Sequence, residues 1–361
     1  MKLEKEPDLM NFALKHLIDL YKSCGLSVIF QNTNNEAWNE TLQKCDYVPV
    51  AYTNMNVEFL YQHQLGNGIT IHNLSAVISW DNRRVGVWPL FISIYDGIGT
   101  VNFLDNMVLP PVLISKTPAS IEKQVVKSCL KIIDKLCQAT GKETWRSMES
   151  FNDSKGLSTW HAQAMGLGAT CWMNHEIFID LHPDMAAIKS QFRKSYKSLI
   201  SSGQKLWNVG VLETADENIW KEFIDLHVQV SGRVTRSNIT WRIHYEDIVD
   251  GHSILVYLRN TAGEMVGGGL FNFTKDEALY AVAAYDRTQF DKPLGHVVQY
   301  RAIEELKKRN VRWYKLGPRP FGSHTPAPNE KEISIGEFKH GFASHLFPRY
   351  VLYHPVLQTG N

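Results

Sequence analysis

The sequence predicts an α/β protein, α+β in layout, built as two tandem domains that each fold a mixed sheet flanked by helices. Three observations lead there. The chain has 361 residues, which is too many for one ordinary core, so domains of roughly 100–200 residues make two the expectation. Hydrophobic residues make up 44% and charged residues 21%, enough to fill sizeable cores and too apolar for general disorder. A hairpin followed by a helix occurs twice, with an offset of about 175–180 residues, a period that makes tandem domains rather than a solenoid.

In the first half, Phe12, Leu14, Leu17, Ile18 and Tyr21 recur at helical spacing and predict an opening amphipathic helix over 9–24. Residues 69–80 (ITIHNLSAVISW) read as extended, Asp81-Asn82 supplies turn chemistry, and RVGVWPLFISI returns as the second arm of a hairpin. Pro89 cannot donate to a ladder, so it marks a bulge or the point where the arms part. Past Pro110-Pro111, a helix starting at Thr117-Pro118 carries Ile121, Val125, Cys129, Ile132, Ile133 and Leu136 as one apolar stripe.

The second half repeats the plan. A basic helix is expected over 184–205, with Lys189, Arg193, Lys194, Lys197 and Lys205. Then SILVYLRN (253–260), the turn Thr261-Ala262-Gly263 and EMVGGGLFNF form a hairpin, followed by a strand over 276–285, a helix over 295–309 and a short strand over 311–317. The Gly-, Pro- and His-rich run after 317 reads as loop. The domains are expected at 1–183 and 184–345, joined at His182-Pro183, with 346–361 as a tail returning to the first.

Lys plus Arg number 38 against 37 Asp plus Glu, so no global field draws the chain to nucleic acid and any anionic partner must be met locally. No apolar run reaches the ~18–20 residues of a membrane span, and the charged N-terminus lacks a signal-peptide core, so the expected location is cytoplasmic. Five scattered cysteines without a Cys-x-x-Cys pair point away from a disulfide framework and from a zinc site. Cys129 and Cys137 lie on one helical face and read as core.

The segment Lys292-Pro293-Leu294-Gly295-His296-Val297 falls between a strand and a helix start. Such a turn exposes backbone N–H groups at the positive end of a helix dipole and suits a pyrophosphate, although a glycine serving the turn alone is the competing reading. With its surroundings, AAYDRTQFDKPLGHVVQYRAIEELKKRNVRWYKLGPR, the segment resembles the terminal block of FemAB-like and acetyltransferase-6 proteins of the GNAT superfamily. Lys292 and Gly295 match the acyl-CoA loop, whereas Val297 replaces a small residue. Glu337-Phe338-Lys339-His340-Gly341-Phe342 resembles the Phe-Lys-x-Gly-Phe signature of the same group, and FRKSYKSLISSGQK (192–205) resembles the basic helix that opens its second domain. SGRVTRSNITW (231–241) is similar to members acting on surface-polysaccharide precursors.

The resemblance implies transfer of an acyl group from acetyl-CoA or another acyl-CoA to an amine, with no metal. Lys292, Gly295 and His296 would hold the pyrophosphate, Leu294 and Val297 would complete the cofactor-binding loop, and a strand bulge near Val282 to Tyr285 would take the thioester. Asp286, His244 or His340 is the candidate general base and Tyr300 the candidate acid for the leaving thiolate. Arg233, Arg236, Trp241 and His244 combine cations with an aromatic ring within twelve positions, a mixture suited to an amino-sugar or nucleotide-sugar acceptor, and Arg319 and Lys339 are similar candidates. Salt-bridged or solvated surface roles compete for each. FemAB ligases that use aminoacyl-tRNA carry a long helical-hairpin arm that this sequence lacks, which disfavours tRNA as donor. A noncatalytic glycan-precursor module on the same fold is a third reading. Oligomeric state and acyl length have no signature in the sequence.

Overall fold

The computed structural model describes residues 14–357, apart from 67, 150, 152–155 and 325. The part of the opening helix expected before residue 14 and the end of the tail after 357 lie outside the described residues. The chain divides into two compact units, one of residues 1–173 with 349–361 and one of residues 174–348. The sequence places the division at 183/184. The observed one falls ten residues earlier, inside a continuous strand, where no change of composition marks it.

Unit 1 opens with α1 (Leu14–Ser23), β1 (Ser27–Phe30), α2 (Asn35–Leu42) and α3 (Asn54–Gly66), followed by β2 (Thr70–Asn73) and β3 (Ala76–Trp80). It continues with β4 (Arg83–Trp88), β5 (Phe91–Tyr95), β6 (Ile98–Asn102), β7 (Val112–Leu113), α4 (Ala119–Ala139), β8 (Thr144–Glu149) and α5 (Thr159–Gly166). The expected hairpin forms on Asp81 and Asn82, both at positive φ (47° and 59°), as the tight turn between twisted strands requires. Its arms split. β3 and β4 belong to the sheet β1-β3-β4-β7, while β2 and β5 belong to a second sheet, β2-β5-β6. Pro89, between β4 and β5, stands at that parting. The α4 stripe packs into the core: Val125, Cys129, Ile132 and Ile133 have no exposed surface, and Ile121 is half-buried at its start.

The strand β9 (Thr170–Asp180) leads into unit 2. There the chain forms α6 (Met185–Gln191), α7 (Lys194–Leu206), β10 (Asn208–Leu212), α8 (Glu217–Ser231), α9 (Asn238–Val249), β11 (Ser253–Arg259), β12 (Met265–Phe273) and β13 (Glu277–Tyr285). Then come α10 (Leu294–Lys308), β14 (Trp313–Pro318), α11 (Glu330–His340) and β15 (His345–Pro355), whose residues from Tyr350 pair with β8 in unit 1. The single basic helix expected over 184–205 is two helices. Phe192 and Arg193 adopt extended ψ values of 147° and 134°, and this break lets Arg193 N–H bond the Gly341 carbonyl at 2.8 Å.

The strand order in unit 2 is β10-β11-β12-β13-β14-β9, antiparallel except for β13 beside β14. One core lies under α7 and α10, around Ile200, Val297, Ile303, Tyr314 and Phe342. A second lies under α8 and α9, around Trp220, Phe223, Trp241, Leu270 and Val282. Three consecutive glycines in β12 let rings approach the sheet. A Cβ at Gly269 would lie 2.8 Å from the Tyr280 ring, and one at Gly268 would lie 3.1 Å from Phe223.

Candidate active site

The central strand of unit 2 is irregular at one place. Between β12 and β13 the register steps from Leu270↔Val282 to Phe271↔Tyr280, leaving Ala281 as an extra residue. Such a bulge turns later side chains to the other face. Ala278 and Tyr280 accordingly join the core beneath α10, whereas Ala281, Val282 and Ala284 join the core beneath α8 and α9. On its other edge β13 pairs with β14 at Glu277, Ala278 and Leu279 alone, opposite Trp313, Tyr314 and Lys315. From Tyr280 onward the two parallel strands part. β14 has its own irregularity at that level, a register step between Lys315 and Gly317 against β9, with Gly317 at φ +106°.

Side chains at the parting are polar. Tyr280 and Tyr285 share a 2.7 Å hydroxyl hydrogen bond, and the Tyr314 hydroxyl donates to Gln299 Oε1 at 2.5 Å. Lys339 of α11 completes the group, with Nζ 5.7 Å from the Tyr280 ring centre and 3.3 Å from where a Cβ of Gly317 would lie. It forms no ion pair with any described residue. Burial disfavours its charged form and lowers its pKa to about 8.

The Phe-Lys-x-Gly-Phe segment thereby acquires a physical account. Phe338 lies against Gly295, where a Cβ would approach its ring to 3.0 Å. Lys339 reaches the parting. Gly341 accommodates Tyr196, since a Cβ there would sit 2.2 Å from that ring, and Phe342 is fully buried in the core. Tyr196 in turn donates to the Phe338 carbonyl at 3.0 Å, so α7 and α11 hold each other in place.

The turn before α10 differs from expectation in its side chains. Leu294 and Val297 are core residues, 3% and 1% exposed, and Val297 packs where Gly203 of α7 leaves room. His296 is enclosed by Tyr196, Phe338 and Phe342, with ring centres 4.5, 5.1 and 6.1 Å away. That burial pushes its pKa down to about 4, so it is neutral and offers no cation to a phosphate. Gly295 serves the Phe338 contact. What the turn does present is backbone: the Gly295 and His296 N–H groups have no acceptor among the described residues, no side chain caps the helix, and Lys292 is exposed beside Trp207.

The candidate proton-transfer residues are placed apart from the parting's hydrogen bonds. Asp286 caps a short 3-10 turn, accepting from Thr288 N at 2.9 Å and Thr288 Oγ1 at 2.8 Å. Tyr300 has Lys189 5.1 Å from its ring and a pKa raised to about 12 by burial and Glu304, the wrong direction for protonating a thiolate. His340 is exposed at the end of α11, its pKa lowered by burial and by Arg319 and Arg193. His244 is buried in α9 and pushed down to about 3 by burial and Arg236, which makes it a poor base at neutral pH.

The expected acceptor residues separate into two places. Arg236 lies 3.4 Å from His227 Nε2 and over Trp241 at 5.4 Å, and its Nε is buried without a hydrogen-bond acceptor among the described residues. Arg233 is exposed nearby in sequence, while Trp241 is only 3% exposed and works as packing. Arg319 belongs elsewhere, bonded to the Pro320 carbonyl at 2.7 Å and 3.6 Å from Glu337.

Tyr280, Gln299, His227 and the break at Arg193 have no signature in the sequence that sets them apart. The start of α11 does: Asn329 and Glu332 form a reciprocal capping box, a pattern readable as Asn-x-x-Glu in a stretch expected to be loop. Among the described residues no group of His, Cys, Asp and Glu is placed to hold a metal ion, and no helix is long and apolar enough to cross a membrane.

The fold is that of known solved structures. FemX matches with a TM-score of 0.62 over 88% of this chain and 95% of its own, at 11% identity. L-PGS from Bacillus licheniformis matches with a TM-score of 0.57 over 90% and 93%, also at 11% identity. A conserved protein of unknown function from Bacteroides thetaiotaomicron matches with a TM-score of 0.57 over 91% and 99%, at 8% identity. The chain therefore has the fold of FemX, in keeping with the resemblance of its sequence motifs. No protein-family model matches the sequence, and no curated protein matches it.

Proposed function

We propose that this chain is an acyltransferase, that unit 2 holds the acyl donor, and that the reacting carbonyl lies at the parting of β13 and β14. The observation that carries the reading is the bulged strand that leaves β14 after three pairs beside a half-buried lysine. A strand edge released from pairing offers backbone N–H and C=O groups to an extended amide-bearing arm such as pantetheine. A neutral amine attacks the thioester carbon, the C–S bond breaks, the nitrogen gives up one proton to solvent as the amide forms, and the departing thiolate takes one. The Lys339 ammonium stabilises the negative charge that develops on the oxygen and sulfur, an effect strengthened where water is excluded. Its pKa of about 8 lies near that of a thiol, so it is matched to deliver the proton as well. The Gly295 and His296 amides with Lys292 take the donor's phosphates.

The acceptor in this reading is an amino sugar or a nucleotide-linked amino sugar. Arg236 supports it, because a half-buried guanidinium whose Nε has no acceptor, and which pairs with no carboxylate among the described residues, is completed by an anionic group of the substrate. Thiol release from acetyl-CoA in the presence of nucleotide-linked amino sugars tests the proposal. Amine-dependent release supports it, and none with any acceptor or acyl length refutes it.

A second donor has its own observation. Lys189, Arg193, Lys194, Lys197 and Lys205 on α6, α7 and the break between them form no ion pair with any described residue, so this face is open to a polyanion such as aminoacyl-tRNA. Against it, no helix of unit 2 among the described residues exceeds 15 residues, so a long arm has no counterpart. Salt-sensitive tRNA binding without acyl-CoA binding would establish that reading instead.

A further inference from the structure

We propose that unit 1 carries a binding site of its own, for a small hydroxylated amine of the amino-sugar type. The proposal stands apart from the acyl-transfer reading, because it concerns residues of unit 1 alone and is tested without a donor.

A cavity of about 310 Å³ is lined by Leu17, Asn32, Glu58, Tyr61 and residues 71–74. This is the lower end of the range for small-ligand pockets, about 300–1,000 Å³, and suits one sugar ring. Its walls are fixed before any ligand arrives. Gln31, 2% exposed, donates from Nε2 to Asn35 at 3.1 Å and to Asn54, and accepts from Asn73 Nδ2 at 3.1 Å. Asn73 Oδ1 accepts from Ser75 N at 2.9 Å. These carboxamides are committed to one another and tie β2, α2, α3 and the turn at residues 31–33 together.

The groups left over define the ligand. Glu58 and Tyr61 sit one helical turn apart on α3 and so share a face. Glu58 Oε1 accepts from Gln62 at 2.8 Å, leaving Oε2 for a ligand, and the Tyr61 hydroxyl and the His72 ring make no hydrogen bond to any described residue. The Tyr61 ring is steadied edge-on against Phe91 at 6.2 Å. Leu17, Ile71 and Leu74 supply an apolar surface for ring C–H groups. The lining holds a carboxylate and no lysine or arginine. An anion is repelled there, hydroxyls find donors and acceptors, and an ammonium finds Glu58.

Isothermal titration of the full chain with glucosamine, glucose and glucose 6-phosphate tests the site. The expected order is saturable binding of glucosamine, weaker binding of glucose and none of glucose 6-phosphate. Glu58→Gln should weaken glucosamine by about 10–100-fold, the worth of a charge-assisted hydrogen bond, while leaving glucose within about twofold. Tyr61→Phe, which keeps the ring packing, should weaken both sugars and reads the same cavity should the first variant fail to fold. No saturable binding of glucosamine, glucose 6-phosphate binding as tightly as glucosamine, or affinities unchanged in both variants would each overturn the proposal.

Discussion

The ammonium of Lys339 lies 5.7 Å from the centre of the Tyr280 ring, at the level where β13 leaves β14. Tyr280 is the last residue before the bulge at Ala281, so the cation, the ring and the backbone irregularity meet at one point. A half-buried lysine without an ion pair among the described residues is costly in the folded state, and the proposed function gives that cost a use.

Replacing Lys339 by Met should therefore separate activity from stability. The variant is expected to lose at least about 100-fold in kcat/KM for acyl transfer, the scale of losing one transition-state charge contact. It should also gain about 1–3 kcal/mol in unfolding free energy at pH 7, because a desolvated cation is replaced by an apolar chain of similar length. Steady-state kinetics and urea unfolding of the same preparation check both.

The lysine also sets a pH dependence. Its folded pKa of about 8 lies below its ordinary 10.5. Above about pH 8 the ammonium is lost in the folded protein, so kcat/KM should fall through that point, and Lys339→Arg should move the limb upward. Between pH 8 and 10.5 the unfolded chain binds more protons at this group, so its contribution to stability rises with pH there. Loss of rate with gain of this stability term is the pair to look for.

On the acid side, neutral histidines withdrawn from water act in both units. His354 stacks on Trp145 with ring centres 3.6 Å apart and is pushed down to about 3 by burial, and His296 is pushed down to about 4. Their folded pKa values lie below the ordinary 6.5, so the unfolded chain takes up protons first. Stability from these residues is complete above about pH 6.5 and is lost as the pH falls toward 4 and below. Urea midpoints from pH 7 to pH 4 should decline, and the decline should be shallower in His296→Gln.

The glycine in the Phe-Lys-x-Gly-Phe segment is expected to be structural. Gly341→Ala would bring a Cβ to 2.2 Å from the Tyr196 ring, forcing the contact between α7 and α11 apart at a cost of about 1–3 kcal/mol. Tyr196→Leu in the same background should recover part of that loss, which thermal unfolding of the single and double variants measures.

Much of this architecture is legible in the sequence because periodicity and turn chemistry are local. The α4 stripe, the Asp81-Asn82 hairpin and the order hairpin, strand, helix, strand in unit 2 all follow from neighbours in the chain. The site was legible in its motifs and less so in their roles. His296 and Asp286 have the chemistry of a binding and a catalytic residue, yet one is caged by rings from α7 and α11 and the other caps its own turn. Both outcomes depend on contacts between distant segments. The charge of Lys339 by itself suits an acceptor contact, and only the fold brings it beside Tyr280, a residue with no sequence signature at all.

The central claim, that the freed edge of β13 receives the donor, is tested most directly by amide hydrogen exchange with saturating acetyl-CoA. Peptides covering 280–286 and 294–297 should exchange more slowly with the donor bound, and peptides from α9 should not change. Saturable acetyl-CoA binding that leaves 280–286 exchanging at its original rate would contradict the account.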